Sequence, residues 1–190
     1  MVSIEKHIGI AALAAGVACA PAAAAIVNFT HTFVNTTGAA QDFTFMVTSD
    51  IAYSGESLFD IRGSIALNLI DFNGNGAIVS TNGNALFQAS IGAVPGPGTV
   101  VQTIWNHPWS FAVTNPFGNG VPPDQSFVAT NVSVAAQPVQ PLVVTIRLRL
   151  SAQDMVTVTG TFEAVPVPGP GAIALLATTG AMGVGRRRRR

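Results

Sequence analysis

Five consecutive residues, Trp105-Asn106-His107-Pro108-Trp109, carry the densest chemistry in the chain. Two indoles bracketing a kinked Asn-His-Pro could form a flat aromatic platform for a sugar ring, with Asn106 and His107 as hydrogen-bonding groups. The plainer alternative has Trp105 and Trp109 ending adjacent strands and packing into the core while 106–108 turns. A second stretch, Asp71-Phe72-Asn73-Gly74-Asn75-Gly76, opens like a calcium loop of the form D-x-N-x-N-G. Such a loop needs a bidentate glutamate at its twelfth position, and Asn82 stands there. One carboxylate and two amides hold calcium poorly. The segment therefore reads as a β-hairpin turn, since Asn-Gly pairs supply the positive φ that such turns require.

Other titratable groups point to no reaction. His31 falls on the Val27, Phe29 and Phe33 face of its segment, where a lone histidine is ordinarily a core-edge residue. Neither His31 nor His107 has a cysteine or second histidine nearby in sequence, so no zinc site, metal or cofactor is expected. Asp50, Glu56 and Asp60 surround one loop and could imitate a glycosidase carboxylate pair, but their spacing matches no motif. No Gly-x-Ser-x-Gly elbow is present for a nucleophilic serine. The reading is non-enzymatic.

The elements that must position these residues have a period of two. In Leu142 to Leu150 the apolar Leu142, Val144, Ile146, Leu148 and Leu150 alternate with Val143, Thr145, Arg147 and Arg149. In Met155 to Glu163, Val156, Val158 and Phe162 alternate with threonines. Ser151 to Asp154 is a short polar connection, so these two strands are expected to form a hairpin. Further strands are expected at Val27–Val34, Phe43–Thr48, Ile61–Phe72, Ala77–Ser80, Ala85–Ile91, Thr99–Trp105, Trp109–Thr114 and Phe127–Val134. Gly, Pro and Asn punctuate the gaps. About ten short strands without a helical stripe predict an all-β domain, an antiparallel β-sandwich of jelly-roll-like type.

The zero net charge conceals an asymmetry. Five of the nine basic residues are Arg186, Arg187, Arg188, Arg189 and Arg190, and a sixth is Lys6. Arg62, Arg147 and Arg149 remain against eight acids once Glu5 is set aside, leaving the interior of the chain net acidic by about five. Nothing basic is left to grip a phosphate backbone, so nucleic acid is not an expected partner.

Both ends read as targeting segments. Residues 1–25 have the parts of a secretory signal peptide: Lys6 in the n-region, an apolar stretch from Ile8 to Ala20, and small residues at Ala23 and Ala25 for signal peptidase. The cut is expected before Ile26, because cutting after Ala20 would place Pro21 directly behind the scissile bond. Cys19, the single cysteine, leaves with this segment; Gly16-Val17-Ala18-Cys19 lacks the leucine of a lipoprotein signal. The mature domain then has no thiol and no disulfide.

The last residues run VPVPGPGAIALLATTGAMGVGRRRRR from Val165. A Pro/Gly segment (Val165, Pro166, Val167, Pro168, Gly169, Pro170) precedes an uncharged apolar run from Ala172 to Gly185, and five arginines close the chain. The apolar run is short for a membrane span, and the arginines would be held on the cytoplasmic side. In order and composition this tail resembles the PEP-CTERM sorting signal of bacterial surface and secreted proteins, with Val167 where that family has glutamate. The alternative is a plain tail anchor with a basic stop. The resemblance implies a transient inner-membrane anchor, a membrane-embedded cysteine protease of the exosortase type as partner, and delivery to the cell surface or the extracellular polysaccharide.

The expected organisation is thus a signal peptide (1–25), a β-sandwich domain (26–164) and a sorting or anchor segment (165–190) containing a hydrophobic helix. The expected role is structural, in a surface or biofilm layer. Two other readings stand beside it: a surface carbohydrate-binding module using Trp105, Asn106, His107 and Trp109, and a secreted hydrolase using Asp50, Glu56 or Asp60.

Overall fold

The computed structural model of the chain describes residues 24–53, 58–92, 98–135 and 140–167. These form an all-β structure of two antiparallel sheets, with no helix among the described residues. The expected signal peptide up to Ala23 and the expected sorting helix lie outside the described residues.

In chain order the strands are β1 (Ala25–Val34), β2 (Gln41–Tyr53), β3 (Leu58–Asp71), β4 (Ala77–Ser80), β5 (Phe87–Ile91) and β6 (Thr99–Ile104). They continue as β7 (Ser110–Val113), β8 (Asn119–Gly120), β9 (Gln125–Ser133), β10 (Gln140–Leu150) and β11 (Asp154–Pro166). The five-stranded sheet runs β1-β11-β3, and β9 and β8 share the far edge of β3. The six-stranded sheet is centred on β10. β2 covers one of its edges, and β5 and β4 divide the other, extended by β6 and β7.

Alternation explains the core. Along β11, Val156, Val158, Phe162 and Ala164 are fully buried, while Thr159 and Thr161 between them face solvent. Along β10, Leu142, Val144, Ile146, Leu148 and Leu150 are buried in the same way. With Phe59, Ile61, Ile65, Leu67 and Leu69 of β3 they form one apolar cluster drawn from both sheets. Each fully buried Phe, Leu or Ile contributes about 2 kcal/mol relative to exposure. Two glycines on the inward side admit aromatic rings that no other residue would. A Cβ on Gly160 would lie 2.6 Å from the Phe29 ring, and one on Gly63 would lie 2.6 Å from the Phe127 ring.

The expected β10–β11 hairpin is not formed. β10 is central in one sheet and β11 in the other, and each already has both edges occupied. Ser151 to Gln153 instead carries the chain from sheet to sheet, with Gln153 in the left-handed region at φ 59°. Buried Asn35 secures this corner. Its Nδ2 lies 3.1 Å from the Leu150 carbonyl and 2.8 Å from those of Ser151 and Ala39. Its Oδ1 accepts the Thr37 N–H and hydroxyl.

Pairing of the first strand with the last, from Ala25↔Ala164 to Val34↔Met155, brings both ends of the described chain to one end of one sheet. β11 runs two residues past the expected boundary at 164. Pro166 is buried opposite Phe59, and the Val167 N–H donates to the Leu58 carbonyl at 2.9 Å. Because Val167 points its N–H at β3, the nitrogen of Pro166 points the other way, beyond Ala25, where a strand tolerates a missing donor. β1 likewise begins one residue before the expected boundary, at the fully buried Ala25.

Candidate functional site at the tryptophan turn

β6 pairs with β5 and β7 with β4, so residues 105–109 must carry the chain from one strand pair to the other. The turn leaves the strand geometry at Trp105, with φ 51°, and contains a cis His107-Pro108 peptide bond. Its ends are anchored to the ends of the loop that joins β4 to β5: the Trp105 carbonyl accepts the Leu86 N–H at 3.1 Å and the Trp109 carbonyl accepts the Thr81 N–H at 3.0 Å. Thr81, 7 % exposed, is the hub. Its Oγ1 accepts the Trp109 N–H at 3.0 Å and lies 3.1 Å from His107 Nδ1 and 3.2 Å from the Trp109 carbonyl. One hydroxyl proton serves only one of those last two at a time.

The indoles of Trp105 and Trp109 stack on each other, 4.9 Å apart at 23°. Each ring therefore uses one face on the other, so the two do not lie side by side as one flat surface. Both rings are half-buried against the core, and Asn106, His107 and Pro108 are exposed. Ser80, Thr81, His107, Pro108, Trp109 and Ser110 line an open groove of about 290 Å³. That is at the small end for ligand sites, room for one sugar-sized unit. It offers an indole edge, an imidazole and three hydroxyls. This is the equipment for hydrogen bonding a neutral polyol.

The calcium-like loop serves its own backbone. Asp71 is buried, and its carboxylate accepts four N–H groups: Asn73 at 3.2 Å, Gly74 at 2.9 Å, Gly76 at 3.0 Å and Phe117 at 3.2 Å. Burial alone would push its pKa up, but these four donors outweigh it and hold the carboxyl below its usual range. Gly74 and Gly76 supply positive φ, as expected of a turn. The turn is not a hairpin, however, since it joins β3 to β4 in the other sheet.

Opposite Asp71 in register stands Asp154, also buried, which sequence reasoning missed as a partner. Burial pushes its pKa up, only partly offset by its short contact with the Ser151 hydroxyl. Ser151 Oγ accepts the Ile78 N–H at 2.6 Å, and its one proton is shared between the Ile78 carbonyl at 3.0 Å and Asp154 Oδ2. No periodicity in the sequence marks this pair; only the β3–β11 register creates it.

The remaining candidates stay apart. His31 is wedged between rings, stacked on Phe45 at 4.1 Å and edge-on to Phe33 at 4.6 Å, a core-edge position. Asp60 Oδ1 accepts the Asn131 N–H at 2.9 Å, which leaves it tied to β9. Glu56 and the Asp50 side chain lie outside the described residues. So do Ala23, Pro168, Gly169, Pro170 and Arg186 to Arg190, while Val165, Pro166 and Val167 belong to the sheet edge described above. Among the described residues no three His, Cys, Asp or Glu side chains gather as a metal site.

No protein-family model matches the chain, and no curated protein does. Two solved structures are similar to parts of it. One, of the infectious bursal disease virus Gt strain, is 13 % identical with a TM-score of 0.23, covering 76 % of this chain and 37 % of that one. The other, of the Gx strain of that virus, is 15 % identical with a TM-score of 0.18, covering 84 % and 49 %. The chain thus spans less than half the length of either, and likeness at these scores carries no functional argument.

Proposed function

We propose that this is an exported bacterial surface or extracellular-matrix protein of structural type, a jelly-roll-like β-sandwich delivered through its C-terminal sorting segment. The observation that carries the reading is the order of parts from Val165 to Arg190: Pro/Gly motif, apolar run, arginine block. Its geometry is consistent with two membrane-directed ends. Ala25 and Ala164 are paired neighbours, so the segments before and after the domain leave from one end of one sheet. On this reading signal peptidase acts at Ala23 and Ala25 before the domain folds, since Ala25 is buried afterwards. The arginines hold the tail in the inner membrane, and an exosortase-type protease removes it. Because Val165 to Val167 are built into β11 or bonded to β3, removal falls beyond Val167.

Intact mass of the protein recovered from membrane and extracellular fractions of its host tests this. The expected mature chain begins at Ile26 and ends between Pro168 and the apolar run. A membrane-bound chain that retains Arg186 to Arg190 makes the tail a plain anchor and removes the sorting account.

A carbohydrate-binding role has one specific observation in its favour, the groove beside Trp109. It lies toward the far end of the molecule from the chain ends. Thr81 follows Ser80, which is paired to Arg149 near the end of β10, whereas Tyr53 and Gln140 meet at the end where Ala25 lies. Polysaccharide retention in a native gel, lost in Trp109→Ala with the fold intact, supports this role. Unchanged migration with and without polysaccharide removes it.

A further inference from the structure

A strand at the edge of a sheet leaves alternate N–H and C=O groups unpaired, and natural edges carry devices that discourage a second chain from pairing there. The described edges of this molecule mostly do. β9 has a register shift opposite Phe59 to Ile61 and an Asn131 at φ 54°. β6 faces a shift between Ala89 and Ser90, β2 faces one between Pro141 and Val143 and carries Asp42, and β7 and β8 are four and two residues long.

β1 has none of them. It is ten residues long, paired to β11 without a register shift, and contains no proline, lysine or carboxylate. Its inward edge can be assigned. The Asn35 N–H donates to the Asp154 carbonyl in the continuation of the β1–β11 register, so the odd-numbered residues point their backbone groups at β11. Ile26, Asn28, Thr30, Thr32 and Val34 therefore point theirs outward, and no described residue pairs with that edge.

We infer that this edge is an interface for a second copy of the chain, the two β1 strands pairing antiparallel about Thr30. The sequence of the edge is what names the occupant. Laid against itself in that register, Thr30 meets its own copy, Asn28 meets Thr32, and Ile26 meets Val34. Hydroxyl and amide groups face groups of their own kind. Ile26 and Val34, large apolar side chains left exposed at 53 % and 45 %, cover each other. All five outward residues find both backbone partners, and the two five-stranded sheets become one. Centring the pairing on His31 instead would set Asn28 against Val34 and leave Ile26 unpaired. The inference rests on the sheet edge alone and stands whether or not the tail is a sorting signal.

The test is the mass in solution, by light scattering across a concentration series, of the mature protein and of Thr30→Lys and Thr30→Pro variants. The mature protein is expected at twice the chain mass. Lysine at the two-fold centre opposes like charges, and proline removes a donor that points away from β11, so both variants are expected as folded monomers. Register is read by mild oxidation. Thr30→Cys is expected to cross-link to itself, within disulfide reach for a hydrogen-bonded pair. Asn28→Cys is expected to cross-link only when mixed with Thr32→Cys. A mature protein that is monomeric at every concentration overturns the inference. So does a dimer that survives both substitutions with circular dichroism unchanged, or a self-cross-link through Asn28→Cys.

Discussion

Thr81→Val is the most direct perturbation of the tryptophan turn. Valine keeps the shape of the side chain and removes only the hydroxyl, on which the turn depends at three points: the Trp109 N–H, the Trp109 carbonyl and His107 Nδ1. Of these, the N–H has no other partner among the described residues and sits beside a nearly buried side chain. Stranding it costs about 2 kcal/mol, and for a chain of this size that lowers the melting temperature by about 6 °C. The carbonyl keeps the Thr81 N–H at 3.0 Å, so its loss adds little. Near-ultraviolet circular dichroism reports the stacked indoles directly. The expected result is a lower melting temperature together with a weakened tryptophan signal, while Thr81→Ser retains both. If Thr81→Val melts with the wild type and leaves the indole signal intact, the hydroxyl does not hold the turn and the hub assignment fails.

Two further outcomes follow from the sheets. Gly160→Ala would drive a methyl to 2.6 Å from the Phe29 ring and 2.8 Å from the Ser64 carbonyl. This overpacking is expected to cost about 1–3 kcal/mol in denaturant unfolding, with part recovered in a Gly160→Ala, Phe29→Leu double variant; equal losses in both would place the strain elsewhere. The aspartate pair predicts opposing pH dependences. Asp71, held below its usual range, contributes stability present above its unfolded value of about 3.9 and lost as pH falls through its folded value. Asp154, pushed up by burial, contributes stability present below about 3.9 and lost as pH rises through its folded value. Asp154→Asn, neutral throughout, should therefore melt higher than wild type at neutral pH and show no advantage in acid. A lower melting temperature at neutral pH would mean that the ionised carboxylate is the favoured form.

Much of the strand layout was legible beforehand because burial alternates with a period of two wherever one face of a strand meets a core. β4 was placed to the residue, and β10 and β11 to within a few at either end. β8 escaped because Asn119-Gly120 is too short for any period. The extension of β11 through Pro166 escaped because proline ordinarily ends a strand; it persists here because its nitrogen faces away from β3. At the candidate site the residue types pointed to Trp105 and Trp109, but whether two indoles lie side by side or stack depends on how the β4–β5 loop (81–86) and the 105–109 turn dock. Thr81 gave no local sign of its role.

By itself the sequence determined the chemistry available and the face each strand residue would bury: an acidic, lysine-free interior segment, two aromatic residues around a His-Pro turn, threonines alternating with aliphatics. Those are properties of neighbours along the chain, set by side-chain type and strand pleat. Tertiary structure alone decided the partners. The short Ser151–Asp154 link looks like a hairpin turn, yet β10 and β11 lie in different sheets because β2, β4 and β5 claim the edges of one and β1 and β3 those of the other. The same long-range pairing sets Asp154 against Asp71 and Ala25 against Ala164. A residue's periodicity travels with it, whereas its cross-strand partner is set by whichever chain segment the packed core brings alongside.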